Sequence, residues 1–150
     1  MSLRDWLSDG RLRRHQTSPT EIADLFRVVD RDLADAGVPG LSSDRRFATA
    51  YNAALQLATI VVRAAGYRPS GVGHHWMTFQ LLLDILGPGE QDRVDYLDSC
   101  RQKRNVAAYD RAGLVSESEV SELLHEVRGF RSAVVAWLRR GHPELPGGRE

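Results

Sequence analysis

Between residues 101 and 110 the chain reads Arg101-Gln102-Lys103-Arg104-Asn105-Val106-Ala107-Ala108-Tyr109-Asp110. Upstream, Val94, Leu97 and Cys100 recur at helical spacing, and the same stripe extended by four lands on Arg104, then on Ala107 and Ala108. An arginine therefore lies on the inward line of a helix. A guanidinium keeps its charge and is costly to bury alone, so it must meet a carboxylate, reach back to water, or face a groove or subunit interface. In the third case its planar fork of donors suits a phosphate. Asn105 and Tyr109 are four residues apart and share a neighbouring face, whereas Arg104 and Tyr109 are roughly 140° apart on an ideal helix. Those two serve one site only where the helix ends or bends, or where two chains contribute.

Other residues capable of chemistry are fewer. His74 and His75 are adjacent, about 100° apart if helical, which is poor geometry for holding one metal ion. They are expected instead to cap or hydrogen-bond the start of the next helix. Gly71-Val72-Gly73 is not a phosphate-binding fingerprint, since no strand precedes it and no third glycine follows at the required spacing. The single Cys100 excludes an internal disulfide, and its place on the apolar stripe suits a buried structural thiol. No metal or cofactor is expected.

Twenty basic and twenty acidic residues give a net charge of zero, so no global field draws the chain to nucleic acid or membrane. A polyanion site would have to be local, at Arg11/Arg13/Arg14/His15, Arg45/Arg46, Arg101/Lys103/Arg104 or Arg139/Arg140; the ordinary reading of each cluster is solvated surface. No basic and apolar leader precedes the first helix, and the longest apolar stretch, 53–62, is interrupted by Gln56 and Thr59. A reducing, cytoplasmic setting without membrane insertion is the expectation.

The elements that position the central stretch can be read from caps and periodicity. Ser18-Pro19-Thr20-Glu21 opens a helix with serine as cap, proline at its first position and glutamate placed to reach back, and Ile22, Leu25, Phe26, Val29 and Leu33 follow on one face. A second helix opens at Ser42 or Ser43, is lined with alanine, and stops at Gly66. A third carries Trp76, Phe79, Leu82, Leu83 and Leu86, a fourth spans about 90–108, and a fifth begins at the capping box of Ser116 and Glu119. With no convincing strand, 150 residues give one all-α, compact up-and-down bundle of about five helices. Residues 1–17 are expected to form an arm with little structure of its own, 18–140 the helical domain, and 141–150 a flexible tail.

Arg104-Asn105-x-x-x-Tyr109, on the fourth helix of such a bundle, resembles the motif of the HEPN superfamily, in which an arginine, commonly followed by a polar residue, precedes a histidine by four to six positions. Gly66-Tyr67-Arg68, Gly73-His74-His75 and Tyr109-Asp110 followed by Gly113 are similar to one bacterial subgroup. The resemblance implies a dimer whose motif helices line a cleft, with metal-independent RNA cleavage: the 2′-hydroxyl attacks the adjacent phosphate, arginine stabilises growing charge, and histidine moves protons. Carried over, Arg104 and Tyr109 would be catalytic, while Asn105, Arg101, Lys103, His74 and His75 would hold substrate. Tyr109 stands where the family has histidine, and a phenol with a pKa of about 10 is a poor base at neutral pH. His74, His75 or His125 would have to substitute.

The expected function is thus RNA or nucleotide binding, with endoribonuclease activity of toxin or defence type as its catalytic form. The alternative is a non-catalytic homodimerisation or interaction module, such as a toxin–antitoxin component with an antitoxin or nucleotidyltransferase partner, Tyr109 then being a modification acceptor. In that case Arg104 pairs with an acid such as Asp84, Asp95 or Asp110, and Tyr109 is a helix-end aromatic. A helix-turn-helix beginning at Thr20 would place Arg45 and Arg46 on its recognition helix, but that helix is longer and more apolar than groove reading needs.

Overall fold

In the computed structural model, residues 2–71, 74–109 and 112–147 are described, with the side chains of 108 and 109 excepted. Among the described residues the chain is all-α apart from one small two-stranded sheet: α1 (Leu3–Ser8), β1 (Leu12–Arg14), α2 (Pro19–Ala36), α3 (Ser43–Ala64), β2 (Tyr67–Pro69), α4 (His75–Ile85), α5 (Gln91–Tyr109) and α6 (Glu117–Gly141). A 3₁₀ turn at Pro88–Glu90 leads into α5.

The axis of the bundle is α3, which packs against α2, α4, α5 and α6. Its sequence explains this centrality. Ala50, Ala53, Ala54 and Ala58 are fully buried and let neighbouring helices approach, while Phe47, Leu57, Ile60 and Val61 fill the space between them. Such a buried helix cannot enter a DNA groove, and Arg46, one of the two arginines considered for that role, instead donates to the Ala36 carbonyl and pairs with Glu117 on α6.

The helix starts are set locally. Ser18 accepts from the Glu21 N–H, but the reciprocal half expected there is absent, because the Glu21 carboxylate is engaged by His15, Thr17 and Arg63. At α6 the box is complete, with Ser116 and Glu119 each capping the other's backbone. At the end of α3, Gly66 adopts φ 98°, in the left-handed region that favours glycine, and turns the chain into β2.

The first seventeen residues are more structured than their sequence suggests. Trp6 of α1 is buried with Leu12, Val62, Met77 and Leu81 in a second, smaller apolar cluster. β1 pairs antiparallel with β2, matching Leu12 with Pro69, Arg13 with Arg68 and Arg14 with Tyr67. The expected tail is likewise partly docked: α6 continues through Gly141, and Leu145 is buried in the main core. No helix among the described residues is long and apolar enough to cross a membrane.

Candidate functional site

Along α5 the apolar stripe runs as its spacing predicts, with Val94, Leu97 and Cys100 buried. Burial pushes the Cys100 thiol up to about 11, so it is an un-ionised core group at neutral pH. One turn further, Arg104 takes the next inward position and is half-buried. Its guanidinium carbon lies 5.5 Å from the centre of the Tyr51 ring on α3, and its Nη1 donates to Asn105 Oδ1 at 2.9 Å.

A cation held on an aromatic face is stabilised by the ring's quadrupole, by about 0.5–2 kcal/mol depending on desolvation. Among the described residues no carboxylate pairs with Arg104. Asp84 accepts the Leu3 N–H and Asp95 accepts from Gln91, while Asp110 lies outside the described residues. The guanidinium is thus positioned by an aromatic face and an amide, neither of which cancels its charge.

Tyr51 joins a second candidate to this arginine. It is 1% exposed, packs edge-on against Phe79, and its hydroxyl lies 3.3 Å from His75 Nδ1 at the start of α4. Burial raises the phenol above its ordinary pKa despite the nearby positive charges of Arg104 and Arg101, so Tyr51 stays protonated. Burial also lowers His75, and Arg104, His74 and Arg101 lower it further, so its imidazole is neutral at physiological pH. When Nδ1–H donates to the tyrosine oxygen, Nε2 is left with its lone pair as a proton acceptor.

The lowered His75 pKa fixes the sign of a pH effect. The unfolded chain takes up a proton near its ordinary value of about 6.5, before the folded chain does, so stability rises with pH across the interval between the two values. His75 contributes fully above about pH 6.5, and its contribution is lost as pH falls through the lower folded value. His75→Gln should therefore flatten the pH dependence of stability below about pH 6.5, measured from urea midpoints at successive pH values, and leave its slope above that pH unchanged.

The other sequence candidates divide. Asn105 is beside Arg104, as above. Arg101 is held by Asp98 at 2.8 Å, yet its charge still reaches His75. Lys103 is turned toward α6, where it pairs with Glu119, and does not join Arg104. His74 occupies the N-cap of α4, but its side chain makes no cap bond; its carbonyl accepts from the Thr78 hydroxyl at 2.9 Å. Tyr109 closes α5, its side chain lying outside the described residues. His125 is exposed on α6 with no described interaction with Arg104.

Tyr51 is the member that periodicity hides, since it occupies an ordinary core position. The available signal is chemical: a buried tyrosine needs a partner for its hydroxyl, and such a partner often belongs to a polar site. Among the described residues no three His, Cys, Asp or Glu side chains converge as a metal site would require. The chain matches no protein-family model, no curated protein and no solved structure.

Proposed function

We propose that this protein binds RNA through Arg104 and Asn105 and acts on it as a HEPN-like, metal-independent endoribonuclease. The observation carrying this reading is a half-buried arginine without a described carboxylate partner, held against the same tyrosine that hydrogen-bonds a neutral histidine. Arg104 supplies a fixed cation for a phosphate whose charge grows during transesterification. His75 takes the part that the family motif gives to histidine and that Tyr109 fills poorly. Its Nε2 accepts the 2′-hydroxyl proton as the 2′ oxygen bonds to phosphorus; the P–O5′ bond breaks, and water returns a proton to the departing oxygen. The products are a 2′,3′-cyclic phosphate and a 5′-hydroxyl. The reading includes a homodimer, in which the C-terminal ends of two α5 helices border the cleft.

Binding of a fluorescent single-stranded RNA, followed by anisotropy over a range of salt concentrations, tests the first half. Arg104→Gln should weaken binding about tenfold or more and reduce the magnitude of the salt slope by about one phosphate contact, because one cation no longer displaces a counterion. Equal affinity and equal slope in the folded variant would remove Arg104 from the RNA site.

A further inference from the structure

A separate cleft of about 380 Å³ opens where the two-stranded sheet meets α3 and α4, lined among others by Arg13, Arg63, Arg68 and His74. Its volume lies within the range of about 300–1,000 Å³ usual for small-molecule sites. Arg13 and Arg68 are direct cross-strand partners in the antiparallel register, so their side chains leave the same face of the two-stranded sheet. Like charges placed opposite each other destabilise a strand pair. Among the described residues neither arginine has a carboxylate partner, and no acidic side chain lines the cleft.

The third arginine is more committed. Arg63 Nη1 donates to Glu21 at 2.8 Å, but its Nε is buried without a described partner, as is Nδ1 of His74. Leu55 and Val62, from the same helix as Arg63, give the lining its apolar part. Three guanidinium forks lining one cleft beside apolar side chains suit a compact ligand with a dianionic group at one end and a flat, weakly polar body at the other.

We infer that this cleft binds a phosphomonoester of mononucleotide size, with Arg13, Arg68 and Arg63 holding the phosphate and the Leu55–Val62 wall receiving the base. The site is distinct from Arg104, although His75 borders both, and it does not depend on RNA turnover at Arg104. The phosphate can belong to a free nucleotide or to the end of an RNA strand.

Isothermal titration of the full chain with 5′-AMP, adenosine and inorganic phosphate tests the assignment. AMP should bind at least about tenfold more tightly than adenosine, since the nucleoside lacks the charge-assisted bonds. Arg13→Glu discriminates binding from folding: it should weaken AMP binding by more than about tenfold while leaving the melting temperature unchanged or higher, because the introduced carboxylate would face Arg68 as an opposite-charge pair. Arg68→Ser should also weaken AMP binding. A short RNA carrying a 5′-phosphate, compared with its 5′-hydroxyl form, distinguishes the sources. Tighter binding of the phosphorylated strand than of its 5′-hydroxyl form assigns the ligand to an RNA end, and equal binding of the two strands beside tighter binding of AMP than of adenosine assigns it to a free nucleotide. Absence of AMP binding, equal affinity for AMP and adenosine, or full AMP affinity in the folded Arg13→Glu and Arg68→Ser variants would overturn the inference.

Discussion

Replacing Tyr51 by alanine should remove about 3–5 kcal/mol of folding stability, a range typical for truncating a large buried aromatic side chain. The ring is almost fully buried on the central helix α3 and packs against Phe79 of α4. Its loss would leave a cavity where these two helices meet and strip Arg104 of the surface it lies on. Tyr51→Phe separates the two roles. It keeps the ring and should cost only about 0.5–1.5 kcal/mol for one hydrogen bond, but it removes the partner of His75 Nδ1. Urea denaturation measures the first effect. Resonances of the His75 ring follow the second, with the preference for one neutral tautomer expected to weaken in the phenylalanine variant.

The helical framework was legible because its signals are local. Ser18, Ser42 and Ser116 cap the helices they precede, and the apolar faces of α2, α3 and α6 recur at the spacing a core-facing helix requires. The two-stranded sheet was not legible for the opposite reason. β1 is three residues of mostly basic sequence, and its partner β2 lies beyond two helices, so only tertiary pairing makes it a strand. Leu3, Trp6 and Leu7 read as one short apolar turn of the arm, but that spacing does not name their partners, since the burial of Trp6 depends on Val62, Met77 and Leu81 from α3 and α4.

The candidate site was legible in its arginine and less so in its surroundings. The stripe through Cys100 places Arg104 correctly on the inward line. Grouping Arg101, Lys103 and Arg104 by charge obscures what the helix does to them, because consecutive residues point about 100° apart. Lys103 therefore reaches α6 and Glu119, while Arg104 reaches α3 and Tyr51. His75 could be named as a substitute for the absent motif histidine, but its link to Arg104 runs through Tyr51 across three helices, which no spacing rule encodes.

The largest functional effect is expected at Arg104. Removing a single preorganised donor to a developing oxyanion typically lowers turnover by about 10²–10³. Arg104→Ala also removes a positive charge that depresses His75. A general base works only when unprotonated, so the residual activity should show a pH profile whose acidic limb is displaced to higher pH. The side chain is half-buried and its described bond is to the adjacent Asn105, so the variant should remain folded by circular dichroism.

Cleavage of a mixed-sequence RNA in EDTA, by the wild-type chain and by Arg104→Ala prepared identically, is the most direct measurement. The proposed function predicts wild-type products ending in 2′,3′-cyclic phosphate and a folded variant slower by about 10²–10³. No cleavage by the wild-type chain, or equal rates for the two proteins, would contradict it.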